Sequence, residues 1–233
     1  MHHFIATKKQ GQQAWLGPGE SHHLLRVLRL KVGQEVRLTL GDGIIYRAAI
    51  QETAVKSCRL QLLKEERRER RPVLHLAVGP PKTNERYRFL LEKCTELGVA
   101  SITPLRCRYS ERKKVRPEKD RHAIEAAVKQ SHKGFIPALR PMEELASFLA
   151  AATTPQRYLA HLEAGKRKPL GALNWQEETL VLIGPEGDFS PEEIAAAQQA
   201  GFQGLDLGQE VLRTETAAMT VAAAPLIKRG GNA

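Results

Sequence analysis

IGPEGDFSPEEI (Ile183–Ile194) and LGQEVLRTETAAMTVAAA (Leu207–Ala224) share one grammar: an apolar run into a glycine-bearing turn, then a helix. Gly184, Gly187 and Gly208 carry no Cβ, so the backbone there can take positive φ or let a ligand approach closely. Ser190 is placed as N-cap, Pro191 at the first helical position and Glu193 as the closing member of a capping box. In the second turn, Leu212-Arg213-Thr214-Glu215-Thr216-Ala217 gathers apolar, cationic, hydroxyl and anionic side chains at one helix entrance. Two ordinary strand-to-helix connections would satisfy the same spacing; the density of polar groups argues for a site.

Working outward, Val73–Val78 reads as a buried strand, and Gly79-Pro80-Pro81-Lys82 turns out of it. A helix capped by Thr83 or Asn84 follows, with Tyr87, Leu90, Leu91, Cys94 and Leu97 on one face and Gly98 as its stop. Ala100–Leu105 is the next strand, which makes a βαβ unit and predicts a mostly parallel sheet. Helices are expected over about Pro117–His132 and Met142–Ala151, and strands over Arg157–His161, Thr179–Ile183 and Leu205–Leu207. The last helix, Thr216–Ile227, is nearly all apolar and calls for burial in a core or a subunit interface. Residues 73–233 are therefore read as one α/β domain, with helices on both faces of the sheet.

Residues 1–68 read differently. A helix around Glu20–Leu30 with Leu24, Leu25 and Leu28 at helical spacing precedes alternating runs at Glu35–Leu40, Ile44–Ile50 and Ser57–Leu63. Gly41-Asp42-Gly43 is a hairpin turn, and the whole predicts a small β-barrel. The mixed charge run Lys64–Pro72 marks the boundary.

Composition narrows the function classes. No apolar run approaches the ~20 residues of a membrane span, and MHHFIATKKQ lacks the apolar centre of a secretory signal, so a cytoplasmic location is expected. Cys58, Cys94 and Cys107 are scattered without CxxC spacing, which predicts reduced thiols and no metal site. Thirty-six Lys and Arg against 26 acids give +10, an excess that suits a polyanionic partner, although many basic enzymes share it. Two Trp and four Tyr do not advertise a base-stacking platform.

GPEGDFSPEEI followed by LGxxxLRTETA closely resembles the ribosomal RNA small-subunit methyltransferase E family of knotted (SPOUT) methyltransferases. EKCTELGVASITPL (Glu92–Leu105) and HHLLRVLRLKVGQEV (His22–Val36) extend the resemblance along the chain. It implies a PUA-like N-terminal domain that holds RNA and a C-terminal SPOUT domain whose last strand and helix thread a trefoil knot. It also implies a homodimer with each site bordered by the partner chain. The implied activity is S-adenosylmethionine-dependent methylation of uridine N3 in small-subunit ribosomal RNA, on the assembled small subunit. The implied cofactor residues are Leu159 and His161 at one strand end, Ile183, Gly184, Pro185, Glu186 and Gly187 in the first turn, and Leu207, Gly208, Val211, Leu212, Thr214, Thr216 and Ala217 in the second. Tyr109, Lys129 and Lys133 depart from the family's Arg, Glu and Arg. No GxGxxG is present, which disfavours a Rossmann-type methyltransferase.

A uracil N3–H must lose its proton to attack. Arg213, permanently charged, is the candidate to stabilise the developing anion. Glu215, or Glu210 nearby, is the candidate acceptor if its surroundings raise its pKa. The alternative for Arg213 is an ion pair with Glu215 or Glu186 that only shapes the loop. Arg26, Arg29, Lys31 and Arg37 are candidate phosphate contacts or a solvated helix face. Arg108, Ser110, Arg112 and Lys113 form a basic loop at a strand's C-terminal end, the edge where open α/β sheets take ligands. A non-catalytic RNA-binding or assembly factor, or a knotted methyltransferase with another RNA target, would share much of this chain. Keeping both GPEG and LRTETA favours the enzyme. Replacing Arg26 and Arg29 by Ala is expected to weaken RNA binding and flatten its salt dependence, read as the slope of log K against log salt; an unchanged slope would return both to the solvated-face reading.

Overall fold

A computed structural model describes residues 1–69, 73–162 and 166–230; the end of the charged linker (residues 70–72) and Glu163 lie outside the described residues. The chain divides into two compact units, Met1–Arg70 with Glu125–Ile136, and Arg71–Ile124 with Pro137–Ala233.

The first unit is the expected barrel. β1 (His3–Gln10), β2 (Gln13–Leu16), β3 (Glu35–Thr39), β4 (Ile44–Glu52) and β5 (Arg59–Arg67) close in the order β1-β2-β5-β4-β3. Alternation drives closure: Val36 and Leu38 of β3, Tyr46, Ala48 and Ile50 of β4, and Leu60 and Leu62 of β5 point inward around Phe4 and Leu16. Gly41 and Gly43 take φ of 86° and 93° in the hairpin turn. The predicted helix is shorter and two-part: α1 (Pro18–His22) runs into a π-helical turn, His23–Val27. The wider turn brings Leu24, Leu25 and Leu28 onto the barrel, and Arg29 leaves it with φ 55°.

The segment Glu125–Ile136 includes the end of α3 (Pro117–Gln130) and is seated on the barrel's hairpin. Thr39 Oγ1 and the Gly43 amide both donate to the Gly134 carbonyl, at 2.8 and 2.9 Å. A Cβ on Gly43 would fall 2.3 Å from the Phe135 ring, so the seat requires glycine. Lys129, one of the departures noted above, has an acid of its own: its Nζ lies 2.5 Å from Glu20 Oε1, while Glu20 Oε2 accepts the Ile5 amide at 3.1 Å.

The second unit is an eight-stranded sheet. It comprises β6 (Leu74–Val78), β7 (Ser101–Arg106), β8 (Ala138–Leu139), β9 (Glu143–Glu144), β10 (Gln156–Ala160), β11 (Arg167–Pro169), β12 (Thr179–Ile183) and β13 (Gln203–Asp206). The order is β11-β13-β10-β12-β6-β7-β8, with β9 also on β7, and every pairing is parallel. Its helices are α2 (Asn84–Glu96), α4 (Leu145–Ala151), α5 (Pro191–Gln199) and α6 (Thr214–Gly230), with the start of α3. Thr83 caps α2, accepting the Arg86 amide, and Gly98 follows its end with φ 85°.

Three local expectations differ. The helix expected from Met142 begins at Leu145, because Glu143 and Glu144 pair with Leu105 and Arg106. β11 has no counterpart among the expected strands: a three-residue Arg-Lys-Pro edge strand has no alternation to read, and charge and proline suit a sheet edge. In α6, Ala217, Ala218, Val221 and Ala222 are buried, but Leu226 and Ile227 are 42% and 75% exposed, so the apolar helix is covered along one stripe only. Among the described residues no helix is long and apolar enough to cross a membrane.

His3 packs inside the first unit at 6% exposure, with its Nε2 donating to the Lys133 carbonyl at 3.2 Å and its Nδ1 without a hydrogen-bond partner among the described residues. Burial, and then the charge of His132, lower its pKa to about 4; Arg37 and Lys129 act in the same direction, while the bond to Lys133 opposes them. Protonation would place a buried N–H against no acceptor. The folded state therefore binds this proton less well than the unfolded chain, whose His titrates near 6.5, and its contribution is complete above that value and lost toward pH 4. Urea unfolding between pH 7 and 4 is expected to show stability falling by up to about 3 kcal/mol from this group. The His3→Asn variant should flatten that fall, and an equally steep profile would assign it elsewhere.

Candidate functional site

The C-terminal ends of β6, β12, β10 and β13 lie side by side, with Val78 opposite Ile183 and Ala160 opposite both Ile183 and Leu205. Everything that leaves these four strands is at one crest. The first glycine turn springs from Ile183, and the second follows Asp206.

In the first turn neither Gly184 nor Gly187 takes positive φ; the left-handed residue is Asp188, at φ 61°. The glycines serve close packing instead. A Cβ on Gly184 would meet Asp188 Oδ1 at 3.0 Å, and one on Gly187 would meet Tyr109 Cβ at 2.8 Å. Asp188 then does the work of a bracket: Oδ1 accepts the Phe189 amide at 2.8 Å, and Oδ2 accepts the Leu162 amide at 2.9 Å, tying the turn to the loop after β10. The Ser190–Glu193 capping box is complete, as the sequence requires. Behind the turn sits Gly79, whose amide donates to the Ile183 carbonyl at 2.8 Å. A Cβ there would lie 2.6 Å from Pro185 N and Cδ.

In the second turn Gly208 does take positive φ, 117°, and its amide donates to Asp206 Oδ1 at 3.1 Å. Thr214 is buried at the start of α6, and its hydroxyl donates to the Gly184 carbonyl at 3.0 Å. That bond joins the two turns.

Arg86, on the first turn of α2, bonds both acids. Its Nε and Nη2 donate to Glu215 Oε1 and Oε2 at 2.9 and 2.7 Å, a bidentate fork. Its Nη1 donates to Glu186 Oε1 at 2.9 Å, which also accepts the Lys82 amide at 3.0 Å. Burial alone would raise the Glu215 carboxyl, but the bonds from Arg86 and its own amide, with the charges of Arg86 and Arg213, hold it below the usual range. A raised pKa was the condition for Glu215 as proton acceptor, and this geometry works against it. Arg213 is not the partner of either acid: it is exposed and makes no side-chain hydrogen bond among the described residues.

Between the turns is a cavity of about 400 Å³, within the roughly 300–1,000 Å³ of small-molecule sites. Of the candidate residues, Ile183, Gly184, Pro185, Glu186, Leu207, Gly208, Val211, Leu212, Thr214, Ala217 and His161 line it, with Arg213 and Glu210. Leu159, Gly187, Thr216 and Glu215 do not. Leu159 faces the core, so strand alternation gives the wall to Ala160. Gly187 backs onto Tyr109, Thr216 is exposed, and Glu215 is turned to Arg86. Sequence reasoning missed Arg86, Arg167 and Asp188 in the lining. Arg86 and Arg167 reach the crest from distant segments, and no local pattern marks them.

The basic candidates separate. Arg26, Arg29, Lys31 and Arg37 are exposed on the first unit. In the second unit Arg108 and Lys113 are exposed, whereas Ser110 is 7% exposed and accepts the Cys107 amide at 3.0 Å. Arg112 braces the turn after β6: it donates to the Pro81 and Lys82 carbonyls and Asn84 Oδ1, over the Tyr87 ring. Ser110 and Arg112 thus act on the protein's own backbone.

Residues 68–225 match the family described as RNA methyltransferase domain, and residues 16–63 the family described as RNA methyltransferase PUA domain. The crystal structure of a probable rRNA-methyltransferase from Porphyromonas gingivalis superposes with a TM-score of 0.89 at 31% identity, covering 100% of both chains. The ribosomal RNA small subunit methyltransferase E of Neisseria gonorrhoeae, solved bound to S-adenosyl methionine, gives 0.84 at 26% identity over 98% of each chain. The Synechocystis protein of that name is 28% identical over 212 residues, 87% of this chain and 69% of its own.

The contact behind the first turn is testable without any ligand. Gly79→Ala places a methyl against the Pro185 backbone and is expected to destabilise the protein by about 1–3 kcal/mol. Denaturant unfolding reads the loss, and wild-type stability in the variant would mean that the turn does not depend on this approach.

Proposed function

The chain belongs to the RNA methyltransferase family that includes ribosomal RNA small subunit methyltransferase E, and from that premise we propose that it methylates N3 of a uridine in small-subunit ribosomal RNA, with S-adenosylmethionine held in the crest cavity. The observation that carries this reading is the cavity itself, walled by both glycine turns, with the exposed Arg213 in its lining.

The lining suits such a ligand. Leu205, Leu207, Leu212 and Ala217 offer apolar surface to a flat base, and the backbone of the two turns is at hand to bond its edge. Glu186, Asp188, Glu210, Arg86 and Arg167 supply both signs of charge for an amino-acid moiety. When bound, the cofactor supplies an electrophilic methyl group; the chain's task is alignment and charge. Arg213 lines the cavity, and a permanent cation beside the uracil would lower the barrier to losing the N3 proton. Glu210 lines the same rim and takes that proton in preference to Glu215, which is bonded to Arg86.

The proposal extends to the surroundings. The barrel's exposed arginines position the RNA, with Arg108 and Lys113 contributing from the second unit. Leu226 and Ile227 of α6, exposed and apolar, and Phe89 of α2 fit a homodimer contact. The last strand and helix thread a knot, and the substrate is the assembled subunit in the cytoplasm.

Small subunits lacking their native modification, incubated with methyl-labelled S-adenosylmethionine and digested to nucleosides, are expected to yield N3-methyluridine at one position. Arg213→Ala is expected to lower transfer by roughly 100-fold or more while cofactor affinity by calorimetry changes little. Equal loss of both would remove Arg213 from the chemistry. A cofactor that binds with no methyl moved would redirect the search to other RNAs, and no binding at all would favour a non-catalytic RNA-binding factor.

A further inference from the structure

We infer that Arg86 is a positioning residue that holds Glu186 and Glu215 so that Arg213 stays free at the cavity rim, an inference that rests on the reading of Arg213 above. Among the charges at this crest are two acids, Glu186 and Glu215, and two arginines, Arg86 and Arg213. A symmetrical division would give each arginine one acid. Instead Arg86 bonds both, with three donors on two carboxylates, and Arg213 makes no side-chain hydrogen bond among the described residues.

The division follows from burial. Glu215 is 8% exposed, and a carboxylate so placed requires a bonded cation. Arg86 meets it from a packed helix with the planar fork that fits a carboxylate edge. Arg213, two residues before Glu215 and exposed on a long side chain, is the other cation whose charge bears on that carboxylate. With Arg86 neutral, Glu215 would remain buried and unpaired, and Arg213 is the group able to turn inward to it. The rim would then lose its cation without any change in the lining residues. Glu186 adds to the demand, since the bond from Arg86 is also what holds the first turn's carboxylate against the Lys82 amide.

The test compares wild type with Arg86→Gln, Arg86→Lys and the double variant Arg86→Gln/Glu215→Gln. The first readout needs neither cofactor nor RNA: modification of Arg213 by phenylglyoxal, followed by peptide mass spectrometry. Arg213 is expected to react readily in wild type, several-fold more slowly in Arg86→Gln, and readily again in the double variant, where no acid remains at Glu215 to capture it. The second readout is kcat for methyl transfer at saturating cofactor, expected to fall roughly tenfold in Arg86→Gln and to recover in the double variant. A purely structural role for Arg86 predicts no recovery.

Thermal melts establish that each variant is folded. If Arg86→Gln is not, Arg86→Lys decides: a point charge holds one acid and not two, so Arg213 reactivity should still fall about twofold. Unchanged Arg213 reactivity in a folded Arg86 variant, or a double variant as impaired as the single one, overturns the inference. Wild-type protein that moves no methyl while the reactivity pattern holds would instead indict the functional reading and leave the division of charges standing.

Discussion

One hydrogen bond, from the Thr214 hydroxyl to the Gly184 carbonyl, ties the two glycine turns to each other, and the walls of the site depend on that tie. It is buried, it joins residues from different strand–helix units, and both of its residues line the cavity. Its worth by itself is modest, on the order of 1 kcal/mol. Its consequence is larger because its geometry is shared: Asp188 holds the same turn to the loop after β10, and Gly79 lets Pro185 lie against the end of β6. Three contacts from three directions fix one turn, so the walls are positioned before any ligand arrives.

The first unit is organised on a comparable principle with different parts. A hairpin turn with two left-handed glycines leaves a gap that Phe135 fills, and the Gly134 carbonyl takes two donors from the barrel. The sequence between α2 and β8 therefore serves both units: α3 begins in one and its end belongs to the other. Lys129 and Glu20 add a charge pair to the same junction, joining the end of α3 to α1.

Legibility in the sequence tracked locality. The capping box at Ser190–Glu193, the Gly98 stop and the hairpin at Gly41–Gly43 are each decided within a few residues, and each is present. The parallel sheet followed from apolar runs separated by helices. The cavity's outline was legible because both turns carry their own glycine signals. Which member of a strand end faces the cavity was not: Leu159 and Ala160 differ only by pleat phase, which the register with β12 and β13 sets. Nor was Arg86, whose partners lie 100 and 129 residues away. The alternative of an Arg213 ion pair with Glu215 or Glu186 rests on nearness in sequence for Glu215, two residues on, while the fold supplies Arg86 from another helix to both acids.

The all-parallel sheet has a consequence for how the molecule comes into being. β6 pairs with β12, and β12 and β13 both flank β10, so the crest joins one strand from the start of the second unit's sequence to three from its later part. No local hairpin can pre-assemble them, and every pairing must first bear the entropy of closing a long loop. The crest therefore appears only after nearly all of the unit has been synthesised and has condensed, with α6 arriving last on the chain. A chain that stops short of α6 lacks Thr214 and Ala217 of the cavity's second wall, whatever else of the molecule is in place.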